Sequence, residues 1–171
     1  MEAQEITIQD RLREDCQEFI KWADTLSDEQ FAVQLDGKWS VVEVMQHLFL
    51  SARPVARLLA GSRDALKQWG RSETLPKGYD EIASTYKTIL GTGVKAPAGM
   101  SPRPEDIQIG RGDMVKRFEG IYEDLIRAVE YWPTHELDDY CIPHPVLGKL
   151  SVREMLYFTS IHTQHHLELL K

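Results

Sequence analysis

The stretch from Ser151 to Lys171 constrains the chain most, because three of its six histidines fall within five residues, His162-Thr163-Gln164-His165-His166, inside an otherwise apolar helical pattern. At helical spacing Met155, Thr159, His162, His166 and Leu169 share one stripe, which is expected to face a core and puts His162 and His166 one turn apart. His165 points elsewhere. The helix carries its own start signal in Ser151-Val152-Arg153-Glu154, a capping box in which hydroxyl and carboxylate satisfy orphan amide donors reciprocally. Two neutral imidazoles at i and i+4 can address one ion of the zinc, nickel or cobalt class, and a third ligand must then come from elsewhere. Thr163 and Gln164 follow His162, so the glutamate base of an H-E-x-x-H metalloprotease helix is missing.

The third ligand has a candidate in a second helix. Ser40 and Glu43 form another capping box, with Trp39 before it as a hydrophobic staple, and the helix is expected to run to about Ala60 and end near Gly61. Val44, His47, Ser51, Val55 and Leu58 follow one face of it, which turns His47 toward the interior. Pro54 predicts a kink or an end past His47.

Two more amphipathic helices complete the pattern. The first covers Glu5 to about Leu26, with Ile8, Leu12, Cys16, Phe19 and Ala23 in phase, and a short capped turn at Ser27 to Gln30 follows it. The other runs from about Asp113 through Tyr131, with Phe118, Tyr122, Leu125 and Val129 in phase and Pro133 closing it. Between them, Gly61 to Pro104 is punctuated by glycine and proline, with a short helix expected at Tyr79 to Leu90, and this connection is expected to overhang the metal site. Ile142 to Lys149 reads as an extended, turn-rich approach to the last helix, with His144 between two prolines as a structural or pocket-lining residue rather than a ligand. No strand alternation stands out. The expectation is an all-α four-helix bundle, one domain over residues 1–171, with a long irregular connection between helices two and three.

A net charge of −7 without long runs argues against a nucleic-acid partner and against an anionic membrane surface. The first residues, Met1 to Ile6, offer neither a basic nor an apolar leader pattern, and no run approaches the ~18 apolar residues of a spanning helix, so a cytoplasmic protein is expected. Cys16 and Cys141 fit neither a disulfide framework nor a C-x-x-C motif and read as reduced thiols. Ile20 and Trp22 beside Phe19 give the first helix more apolar surface than one stripe needs, and a homodimer is expected from it.

Three stretches together resemble the DinB superfamily: Lys38 through His47 and Leu48, Lys95-Ala96-Pro97 with Pro102 following, and His144 through Ser151 to His162, His166 and Leu167. The resemblance covers most of the chain and implies a helical bundle holding a divalent metal, nickel or zinc, on three histidines. Carried onto this sequence, the ligands are His47, His162 and His166. One departure is Glu168, where members of the superfamily often carry glutamine. The resemblance implies a metal-dependent hydrolase or a thiol-dependent transferase, with a small-molecule substrate such as a low-molecular-weight thiol. A non-catalytic stress-response or structural dimeric bundle with a stabilising metal site is the alternative. Because imidazole ligates only when neutral, affinity is expected to fall as pH drops through the ordinary histidine range near ~6.5.

Overall fold

A computed structural model describes residues 6–171. The segment Met1 to Glu5, including the expected first residue of the first helix, lies outside the described residues. In chain order the helices are α1 (Ile8–Ala23), α2 (Asp28–Ala32), α3 (Val41–Ala60), α4 (Arg63–Lys67), α5 (Tyr79–Leu90), α6 (Arg111–Glu130) and α7 (Val152–Leu170). Strands β1 (Cys141–His144) and β2 (Gly148–Ser151) precede α7. The fold is predominantly helical, and α1, α3, α6 and α7 form its core bundle. None of the described helices is long and apolar enough to cross a membrane.

Side-chain caps set the register of the core helices. Thr7 accepts from the Asp10 amide at the start of α1, and full capping boxes open α3 (Ser40, Glu43) and α7 (Ser151, Glu154). Each box satisfies two amides that a helix start leaves orphaned, so the buried stripes begin in phase. Leu12 and Phe19 of α1, Met45 of α3, Phe118 and Leu125 of α6 and Leu156 of α7 are completely or almost completely buried. Phe118 packs between Phe19 and Tyr122 at centroid distances of 5.0 and 4.8 Å. Each such side chain contributes roughly 1.5–3 kcal/mol by leaving water, which is why the bundle holds together through these stripes rather than through helix propensity. Asp15 of α1 is also buried, and its two carboxylate oxygens accept from Ser160 (2.5 Å) and Gln164 (2.7 Å) of α7.

As expected, α3 runs to Ala60 past Pro54, which sits on the exposed side while Ala52, Val55, Ala56 and Leu59 keep the opposite side packed. Three expectations change. The connection between α3 and α6 is more ordered than its glycines and prolines imply. It contains α4, α5 with the expected bounds, and 3-10 turns at Ala98–Met100 and Pro104–Ile107. The approach to α7 is a β-hairpin, with Cys141 paired to Ser151 and His144 to Gly148. Gly148 takes φ of +77°, a left-handed conformation that closes the tight turn and that a side chain would strain. At the far end of α7 the expected stripe fails at Leu169, which is 66% exposed, while Leu167 and Leu170 carry the side that packs on the core.

Candidate metal centre

Three helical positions converge. His47 comes from the second turn of α3, and His162 and His166 come from successive turns of α7, so two capped helices present all three imidazoles. His47 and His162 are buried and His166 is partly buried. The Nε2 of His162 lies 3.0 Å from that of His47 and 3.1 Å from that of His166. One ring nitrogen from each of the three lies within 4.8 Å of the others, an arrangement capable of coordinating one metal ion.

The proton inventory explains why these contacts are not an ordinary hydrogen-bond network. His47 turns Nδ1 outward to the Met100 carbonyl at 2.7 Å; a carbonyl only accepts, so Nδ1 carries the proton and Nε2 presents a lone pair inward. His162 Nε2 faces two nitrogens and has at most one proton to offer while neutral. Converging lone pairs repel unless a cation stands among them. Imidazoles bound at ~2.1 Å and roughly 90–110° apart set neighbouring nitrogens about 3.0–3.4 Å from one another, and the two short spacings seen here fall in that range. The residues present therefore fit a three-histidine ion site.

Burial keeps the rings neutral. It lowers His47 below the ordinary histidine value, against the raising effect of the Met100 hydrogen bond. His162 is lowered well below it by burial and by its histidine neighbours, and His166 is pushed down to about 3, mainly by burial. Proton competition at this cluster thus sets in at lower pH than the ~6.5 expected from isolated imidazole.

Aromatic rings hold the imidazoles in place. Trp39 packs on His47 at 4.9 Å between centroids, and Phe158 stacks on His162 at 5.0 Å with 20° between planes. The cluster opens on a cavity of about 610 Å³, walled chiefly by aliphatic and aromatic side chains. Ile89 and Leu90 of α5, Val94, Pro97 and Met100 form one side of it, so the connection between α3 and α6 does pack over the cluster. Lys38 and Lys95, both exposed, are the charged side chains in the lining apart from histidine.

The remaining histidines separate cleanly. His144 lines the cavity without joining the cluster, His165 is half-buried beside Tyr86 and His166, and His135 is exposed in a 3-10 turn that is tied to the start of α7 through Arg153. Glu168 is exposed. Cys16 and Cys141 are both free and buried, and burial pushes the Cys16 thiol up to about 12, far from reactive. Sequence patterns find the three clustered histidines but not Met100, which acts through a backbone carbonyl that its side chain does not announce. Phe158 is findable in principle, as the residue one turn before His162 on the same helix.

A family model for the DinB superfamily matches residues 11–170. No curated protein matches the chain. With the family model spanning nearly all of it, the chain belongs to the DinB superfamily.

Proposed function

Starting from membership of the DinB superfamily, we propose that the protein is a divalent-metal-dependent enzyme acting on a small molecule, with His47, His162 and His166 as the ligands and nickel or zinc as the ion. The observation that carries the reading is the convergence of three neutral imidazole nitrogens on the wall of a large apolar cavity rather than in a sealed core. An ion held by three protein ligands keeps open positions and supplies Lewis acidity, which makes a water or thiol nucleophilic near neutral pH or polarises a carbonyl. The chain's own residues supply orientation and exclusion. Met100 fixes the His47 tautomer, Phe158 and Trp39 fix ring planes, and the aliphatic wall keeps bulk water from the reacting group.

Hydrolysis and thiol transfer are the two reactions that suit a site with this little protein acid–base equipment. Lys38 and Lys95 at the cavity edge favour a substrate or co-substrate with an anionic end, as many low-molecular-weight thiols have. A single domain spanning the chain, and a homodimer through exposed helix faces, belong to the same proposal. The dimer rests on less surface than the sequence implies, since Ile20 and Trp22 already pack partly on their own core. Elemental analysis of untagged protein followed by turnover assays with a panel of thiols and esters tests the reading. One equivalent of nickel or zinc and activity abolished by chelator is the expected result. An ion whose removal lowers only the melting temperature would identify a stabilising site instead.

A further inference from the structure

His144 sits at the end of β1, where the hairpin turns, and its ring is committed on one side only. Its Nδ1 accepts from the backbone amides of Val146 (3.1 Å) and Leu147 (3.0 Å). An imidazole nitrogen that accepts carries no proton, so the neutral ring must hold its proton on Nε2. The Nε2–H has no partner among the described residues, and no buried side-chain nitrogen or oxygen among them lacks one. The free N–H therefore faces open space, and His144 is part of the cavity lining. Burial pushes His144 down to about 4, which keeps it in this neutral form near pH 7.

Its position relative to the histidine cluster is fixed by one intervening ring. His144 packs edge-on against Phe158 at 4.2 Å between centroids, and Phe158 also stacks on His162 at 5.0 Å. The cavity thus has the imidazole cluster at one place and a rigid, uncharged N–H donor one aromatic ring away, with Met155, Ile142 and Val146 among the apolar groups around them. Among the hydroxyls in the lining, Ser51, Thr159 and Thr163 each donate to a carbonyl of their own helix, Ser101 donates to the Pro97 carbonyl and Tyr122 pairs with Thr163, which leaves the Tyr86 hydroxyl without a partner among the described residues.

We propose that His144 is a substrate-binding residue, whose Nε2–H donates to an acceptor oxygen on a molecule that is uncharged and largely apolar over the part buried in this cavity. Placing the reacting end of that molecule at the three histidines rests on the metal-site reading above; the donor role of His144 does not. The arrangement suits a compact, largely apolar substrate that carries a carbonyl or ether oxygen. A single well-placed donor orients an apolar body that would otherwise slide in a greasy pocket.

The test uses two probes of equal shape, 4,4′-difluorobenzophenone and bis(4-fluorophenyl)methane, which differ by the carbonyl oxygen, titrated by fluorine NMR against zinc-loaded and chelator-stripped protein. His144→Phe is expected to weaken the ketone roughly three- to ten-fold, one neutral hydrogen bond's worth, and to leave the hydrocarbon within about two-fold. In the unsubstituted protein the His144 Nε2–H proton resonance moves downfield with the ketone and stays put with the hydrocarbon, which decides the matter even where the substitution disturbs the hairpin. A ketone affinity unchanged in His144→Phe, an unmoved resonance, or no binding of either probe overturns the proposal. The metal reading fails separately: a His144-dependent ketone effect in protein that takes up no stoichiometric zinc leaves this assignment standing and removes the ion from it.

Discussion

Helix α7 carries two polar clusters on different sides, and they solve the problem of buried polarity in opposite ways. Toward α1, Asp15 accepts from Ser160 and Gln164, and Gln164 in turn accepts from the Tyr79 hydroxyl at 3.1 Å, so donors and acceptors match. Toward α3, His47, His162 and His166 make two close nitrogen–nitrogen contacts that no placement of neutral-ring protons turns into two full hydrogen bonds. A closed inventory marks a cluster that locks helix register. An open one marks a cluster awaiting something from outside the chain. The difference separates structure from function more sharply than burial does, since Asp15 and His162 are almost equally buried at 5% and 7% exposure.

The largest effect that can break this comparison is on metal content. His162→Ala, His47→Ala or His166→Ala is expected to weaken binding by more than roughly 100-fold, beyond what loss of an outer supporting group costs, whereas His135→Ala and His144→Ala retain the ion. Elemental analysis after dialysis reads this directly. His165→Ala is the sharpest control, because retention in His166→Ala with loss in His165→Ala would reassign the ligand on α7. Stoichiometric metal surviving every single replacement would falsify the three-histidine site.

Next in size is the effect of ion removal on stability. An ion that binds only the folded chain adds about 2.7 kcal/mol at a hundred-fold excess over its dissociation constant, so chelation is expected to lower the melting temperature of the wild type and leave that of His162→Ala unmoved. Asp15→Ala does the reverse. It strands two donors on α7 and is expected to cost about 1–3 kcal/mol in urea unfolding while metal content stays at one equivalent. Proportionate loss of metal in Asp15→Ala would show that the clusters are one unit.

The smallest expected effect is a difference in the sign of pH dependence. In the metal-free protein His166 is held near 3, well below its ordinary 6.5, so the unfolded chain binds more protons in that interval and stability falls as pH drops through about 6.5. Asp15 is raised above its ordinary 3.8 by burial, so its contribution is present below that value and is lost as pH rises through the raised one. Urea midpoints of stripped protein between about pH 7.5 and pH 5 should therefore decline less in His166→Phe than in wild type, and not less in Asp15→Asn. Equal declines in wild type and His166→Phe would contradict the burial of that ring.

What the sequence displays and what it conceals divide along physical lines. The capping boxes at Ser40 and Ser151 and the apolar phases of α1, α3, α6 and α7 are local, so the bundle and the inward aim of His47 and His162 are readable from spacing. The bounds of α5 are readable for the same reason. The hairpin is hidden because Pro143 and Pro145 read as breakers, while the Gly148 turn and the pairing to Lys149 and Leu150 emerge only when the strands meet. The Asp15 network spans 145 residues between Asp15 and Ser160, and nothing near either residue points to the other. Met100 is hidden more deeply still, because a carbonyl has no letter of its own.

Glu154 shows how the cavity wall and the last helix depend on each other in time as well as in space. One of its oxygens accepts from the Ser151 amide and caps α7; the other accepts from the amide of Lys77, 77 residues earlier and just ahead of α5. The loop that this contact closes is long, and its entropy must be spent before the contact returns anything. Contacts between α3 and α6 close loops of similar length, 71 residues for Arg117–Gln46, so partner availability sets the order: α3 and α6 pack directly on each other, whereas α5 packs on α7 and docks only after α7 has started. Pulsed hydrogen exchange during refolding should find the α3 and α6 amides protected ahead of those of α5, making the pocket the last part of the molecule to acquire its shape.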